Sequence, residues 1–105
     1  MAANTDVDGR LIIVGAELTL SYKFYTADGV ASDPSTISLY LELPSGVIET
    51  KDIDDFTKVA DGHYEYNADI TEGGEWEFTL ETTGAPKVVV NGRFVADKKR
   101  VKVTA

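Results

Sequence analysis

Residues 72–84 read EGGEWEFTLETTG, and the reading of that stretch decides the fold. A tryptophan set among glutamates suits a sugar-binding platform or an acid/base pair. It equally suits one strand of a sandwich with an apolar face and a wet one. Successive side chains of a strand leave on opposite faces. Parity therefore puts Trp76, Phe78 and Leu80 on one side and Glu75, Glu77, Thr79 and Glu81 on the other. The same alternation recurs in three more segments. Leu18, Leu20, Tyr22 and Phe24 oppose Thr19, Ser21, Lys23 and Tyr25; Ile37, Leu39, Leu41 and Leu43 oppose Ser38, Tyr40 and Glu42. Tyr64, Tyr66, Ala68 and Ile70 oppose His63, Glu65, Asn67 and Asp69. Four such segments are half-buried strands of antiparallel sheet.

Further strands are expected at residues 11–14, 47–51, 56–59, 87–95 and 100–104. Turn residues punctuate the pattern at Ala27-Asp28-Gly29, Ser45-Gly46, Ala60-Asp61-Gly62, Glu72-Gly73-Gly74 and Asn91-Gly92. Asp33-Pro34 marks a loop before the second clear strand, and Leu43-Pro44 ends that strand. No window of ten residues carries a helical stripe; DIDDFTKV, at 52–59, comes closest and is too short. Seven to nine short strands in a chain of 105 residues predict an all-β, two-sheet antiparallel sandwich. The expected organisation is a loose polar arm at 1–9, the sandwich at 10–97, and a basic strand or tail at 98–105.

Composition narrows the function classes. An apolar fraction of 43% supplies one compact core, and the absence of cysteine removes disulfides and thiolate chemistry. No apolar run reaches the ~18 residues that a membrane-spanning helix needs. MAANTDVDGR lacks the basic start and apolar segment of a signal peptide, so no export and no membrane partner are expected. Four of the ten basic residues, Lys98, Lys99, Arg100 and Lys102, fall in the last eight positions. Residues 1–97 thus hold six basic against eighteen acidic groups, a balance that disfavours nucleic acid. The basic stretch reads as a solubilising end or as a docking arm for an acidic partner surface, such as the body of a neighbouring copy.

Each candidate site has an ordinary structural explanation. Asn4-Thr5-Asp6-Val7-Asp8-Gly9 resembles the opening of a calcium loop, but its twelfth position, where a bidentate acid belongs, is Gly15. Asp52, Asp54 and Asp55 form an acidic run, a second possible cation site that reads also as a solvated loop. His63, the single histidine, is expected on the surface beside a turn; no serine sits in a strand–elbow–helix context to pair with it. Gly73-Gly74 precedes a strand rather than a helix N-terminus and so makes no phosphate loop. Glu75 and Glu77 leave one face roughly 7 Å apart, as on any polar strand face, whereas a glycosidase sets its carboxylates across a cleft. Neither catalytic residues nor a metal or cofactor site emerges. Trp76, Phe78, Tyr64 and Phe94 are expected as core anchors, and Tyr25 and Tyr40 as outward aromatics suited to partner contact.

The segment DGHYEYNADITEGGEWEFTLETTG resembles a pattern of immunoglobulin-like modules in tailed-bacteriophage structural proteins. The matching positions are Gly62 with Tyr64, Gly74 with Trp76, Phe78 and Leu80, then Gly84. Val14-Gly15, Asp28-Gly29, Asp33-Pro34, Leu43-Pro44-Ser45-Gly46 and Phe94-Val95 extend the likeness over most of the chain. Tyr64 after its turn is similar to the tyrosine corner of immunoglobulin folds, with Tyr66 where a cysteine would stand. The resemblance implies an immunoglobulin-like β-sandwich acting in the virion as a head, neck or tail component. Such a protein works by association with other virion proteins in many copies, without catalysis or cofactors. The contacts expected to serve it are Tyr25, Tyr40, Lys98, Lys99, Arg100 and Lys102. A cell-surface or glycan-binding adhesion module is the alternative, and it needs several outward aromatics on one sheet.

Overall fold

The computed structural model describes residues 12–97. Seven strands follow one another: β1 (Glu17–Lys23), β2 (Thr36–Glu42), β3 (Ile48–Asp52), β4 (Thr57–Ala60), β5 (His63–Asp69), β6 (Gly74–Thr83) and β7 (Val89–Ala96). They form two antiparallel sheets, one of three strands in the order β1-β5-β4 and one of four in the order β3-β2-β6-β7. The chain is a β-sandwich. The four clearly alternating segments form β1, β2, β5 and β6, and the alternation maps onto burial. Along β2, Ile37, Leu39 and Leu41 are buried, while Tyr40 and Glu42 between and beyond them are exposed. The expected strand at 100–104, the arm at 1–9 and the calcium-like loop Asn4–Gly9 lie outside the described residues. Of the strand expected at 11–14, only a parallel bridge between Ile13 and Asp97 is seen.

The core has two parts. The larger holds Phe24, Ile37, Leu39, Leu41, Phe56, Tyr64, Ala68 and Leu80. The smaller holds Trp76 with Ile12, Leu43, Ile70 and Ala96. Trp76 and Tyr64 are buried as expected; Phe78 and Phe94 are half-buried and pack against the two clusters from the sheet that carries β6 and β7. Phe94 stacks on Trp76 at 5.6 Å between ring centres. Tyr22 meets Phe78 edge-on across the sandwich at 6.4 Å. Its hydroxyl is buried without a partner, and burial pushes its pKa up to about 12.

Three expectations are corrected. Asn91-Gly92 is not a turn but the middle of β7. Gly92 stands opposite Phe78, and a Cβ on it would run into the Phe78 ring, so the ring fills the space a side chain would take. Tyr64 does not make a tyrosine corner, because it follows the β4–β5 hairpin within one sheet rather than a crossing between sheets. That crossing is β5–β6, and there the corner bond is made by Trp76, whose Nε1 donates to the Glu72 carbonyl at 2.9 Å. An aromatic at the start of the strand thus ties back to the backbone four residues upstream, as the tyrosine does in a tyrosine corner. Finally, the acidic run is not merely solvated. It caps a short 3₁₀ turn, Ile53–Asp55, in which Asp52 accepts from the Asp54 N–H and Asp55 accepts from the Asp52 N–H.

The crossing that carries Trp76 is held at a second point. The Glu72 carboxylate accepts from the Ser45 N–H and the Ser45 hydroxyl, each at 2.9 Å, which fastens it to the β2–β3 turn. Gly74 opens β6 at φ +124° with Pro44 against it, a conformation and a spacing that suit glycine alone.

Candidate functional site

The pleat that fills the core also decides what the two outer faces carry. On the three-stranded sheet the outward residues are Glu17, Thr19, Ser21 and Lys23 on β1, facing His63, Glu65, Asn67 and Asp69 on β5. The central groups pair with one another, while Glu17 and Asp69 face each other as like charges at one end. Thr19 donates to Asn67 at 2.7 Å, and Ser21 shares a 2.7 Å hydrogen bond with His63 Nε2. His63 does leave the outer face, yet it is half-covered rather than free, held by Ser21 and by Glu65 at 3.5 Å. The serine, histidine and glutamate resemble a hydrolytic triad in composition only. Both partners approach the same ring nitrogen, Nε2, whereas a triad needs the acid on Nδ1 to orient the base toward the serine.

Beside this sheet, Asp33 organises the β4–β5 hairpin. Its carboxylate accepts from Lys58 Nζ at 2.6 Å and from the Gly62 N–H at 2.7 Å. The Lys58 hydrogen bond, followed by that of Gly62, holds the Asp33 carboxyl below the usual carboxylate range. Lys58 also reaches Asp61 at 3.4 Å. The cluster serves structure: it pins the loop after β1 to the hairpin.

The four-stranded sheet has a different outer face. Strand register aligns Thr50, Tyr40, Thr79 and Asn91 in one row, and Ile48, Glu42, Glu77 and Arg93 in the next. Glu75 and Val95 form the row beyond, and Val89 stands opposite Glu81. Apolar side chains lie open on this face: Ile48 is 61% exposed, Val89 62%, Val95 52% and Tyr40 38%. A shallow groove of about 380 Å³ runs past Tyr40, Glu42, Ile48 and Glu77. A second, of about 250 Å³, adjoins it between Glu42, Pro44, Glu75 and Glu77.

The charges on this face are unbalanced. Arg93 sits opposite Glu77 but reaches diagonally to Glu75, at 3.2 Å. Glu77 is left facing Glu42 directly across β2 and β6, and among the described residues neither has an ion-pair partner. Like charges directly opposite on a sheet oppose the pairing of their strands.

Of the expected contact residues, Tyr40 lies at the centre of this face. Tyr25 is also exposed, at 52%, but belongs to the β1–β2 connection, where it bridges to Ala31. The two tyrosines share no sheet face. Lys98, Lys99, Arg100 and Lys102 lie outside the described residues. Ile48, Val89, Val95 and the Glu42–Glu77 pair were not singled out from sequence. Val95, which the resemblance puts in the core beside Phe94, points outward instead, and the adjacency of these residues needs the register of four strands. Among the described residues no group of three or more acidic, histidine or cysteine side chains is placed to hold a metal, and no helix is long and apolar enough to cross a membrane.

Comparison of the chain with protein-family models, with curated proteins and with solved structures gave no match.

Proposed function

We propose that the chain works by association, as a non-catalytic structural component of a tailed-bacteriophage virion that contacts other virion proteins through the outer face of its four-stranded sheet. One observation carries the association: Tyr40, Ile48, Val89 and Val95 stand open on that face, while the outward residues of β1 and β5 on the other sheet are all polar and are paired at their centre. Exposed apolar residues gathered on one face and rimmed by charge are the usual mark of an interaction surface. The immunoglobulin-like reading is supported by the strand order and by the Trp76 corner at the β5–β6 crossing. The virion setting rests on the sequence resemblance around Gly62–Gly84. A glycan-binding role has less support, because Tyr40 is the single aromatic on the open face among the described residues.

Mass spectrometry of density-banded virions tests the setting. The chain is expected there in many copies per particle. Recovery only in the soluble lysate, with none in banded particles, overturns it.

A further inference from the structure

The open face carries two features that one occupant would satisfy together. It has an apolar side, Ile48 and Tyr40 on β3 and β2, and an acidic side, where Glu42, Glu77 and Glu75 meet a single arginine. The matching chemistry lies in this chain's own sequence, in residues 98–105, KKRVKVTA. Laid out extended, that stretch puts Lys99, Val101 and Val103 on one side, a cation followed by two β-branched apolar residues. Lys98, Arg100 and Lys102 fall on the other side, and their long flexible side chains can fold round the segment to acids beside it, while Lys99 points the same way as the valines.

We propose that residues 98–105 of one copy dock across the outer face of the four-stranded sheet of a second copy. The cations lie over Glu75, Glu77 and Glu42, and the valines lie against Tyr40 and Ile48.

Strand direction favours a second copy over the same one. Glu77 stands opposite Arg93, four residues before Asp97, and β7 runs from Arg93 toward Asp97, away from Glu77 and Glu42. Asp97 is itself bridged in parallel to Ile13, so the strand still points that way at the last described residue. To reach its own acidic pair the chain would have to reverse at once. KKRVKVTA contains none of the glycine, proline, asparagine or aspartate residues that make reversals. The contact is heterologous: one surface gives and a different surface receives. Each copy can therefore do both, and the result is a ring or an open array.

The unpaired Glu42–Glu77 pair then has a reason to persist. Two facing glutamates cost the isolated sheet a little, and incoming lysines or arginines compensate them on docking. The proposal deepens the association reading and rests on it, because it names the partner surface.

The test uses two variants of the full chain. One carries E42Q and E77Q, removing the receiving charge. The other carries K98Q, K99Q, R100Q and K102Q, removing the docking charge. Sedimentation velocity across a range of concentrations, at low and at high salt, reads the assembly state, and circular dichroism checks that each variant keeps its fold. The unaltered chain is expected to assemble with rising concentration and to dissociate at high salt. Each variant alone is expected to stay monomeric, and an equal mixture to form a dimer that grows no further, since each variant retains the half that the other lacks.

Assembly of either variant as strong as that of the unaltered chain overturns the proposal. Failure of the mixture to pair also overturns it. So does a monomeric unaltered chain whose salt-dependent melting is altered by the lysine and arginine substitutions, because that result places the segment on its own copy. Mass spectrometry of virions reports separately: a chain present in particles whose variants fail to complement keeps the association reading and loses this contact.

Discussion

The two sheets follow the same alternation and end differently. The three-stranded sheet pairs the middle of its outer face, with Thr19 bonded to Asn67 and Ser21 to His63, leaves Glu17 facing Asp69 at one end, and locks its hairpin through Asp33, Lys58 and Gly62. The four-stranded sheet concentrates its order inside, where Trp76 is 1% exposed and Leu39 and Leu80 are fully buried. Outside it leaves Ile48, Val89 and Val95 in solvent and Glu42 facing Glu77. A face whose polar groups are paired gains little from a partner. Each face carries one facing pair of acids, so it is the open apolar area around Ile48, Tyr40, Val89 and Val95 that marks the four-stranded sheet as the surface available for contact.

Substitutions on the two sheets should break or sharpen that contrast. The largest effect is expected from Trp76→Ala, which empties the smaller core and removes the corner bond to Glu72. A loss of about 3–5 kcal/mol in urea unfolding is expected, and a loss below about 1 kcal/mol would show that the corner is dispensable. Gly92→Val drives a side chain into the Phe78 ring and should cost about 1–3 kcal/mol. Combining it with Phe78→Ala, which clears the space, should make the two changes clearly non-additive.

Tyr22→Phe acts on the interface between the sheets with the opposite sign. Removing a buried hydroxyl that has no partner should leave stability unchanged or raise it by up to about 1 kcal/mol at neutral pH. Because the folded-state pKa of Tyr22 is raised to about 12, its contribution is complete below the ordinary tyrosine value near 10. It is lost as pH rises from there toward 12, since the unfolded chain sheds the proton first. The substitution should therefore flatten the alkaline limb of the melting curve, and an unchanged limb would place the titration elsewhere.

Asp33→Asn tests the three-stranded sheet from the acid side. A carboxyl held below its usual range contributes stability above about pH 4 and loses it as pH falls through the lowered value. The variant should melt below the unaltered protein at pH 7 and approach it at pH 3. A gap that stays constant with pH would mean that the Lys58 and Gly62 contacts are not responsible. The smallest effect is expected at Glu77→Gln. Relief of the pair with Glu42 should raise stability by about 0.2–1 kcal/mol at low salt, and the gain should fade at high salt. The equivalent change Glu65→Gln on the other sheet, beside His63, should bring no such gain.

Much of this fold is written in parity. Tyr64, Trp76, Leu80 and the β2 leucines fall inside because period two leaves them no other face, and Tyr40 and the glutamates fall outside for the same reason. Local chemistry was a poorer guide where two elements meet. Asn91-Gly92 has the composition of a turn, but Phe78 from the neighbouring strand takes up the glycine's empty side. Tyr64 has the spacing of a corner tyrosine, but the chain crosses between sheets one hairpin later, where Trp76 makes the bond. His63 was correctly outward, yet its pairing with Ser21 depends on β1 and β5 being neighbours 42 positions apart.

The candidate face divides in the same way. By itself the sequence determined which side chains point out of each strand, the acidic balance of residues 1–97 and the cations at 98–102, since these follow from residue order and charge alone. Only the tertiary structure decided that Glu42 meets Glu77, that Arg93 turns to Glu75 and that Ile48 and Tyr40 border the same acidic strip. Those neighbours come from four strands, and the register that aligns them is set by how the two sheets pack their cores.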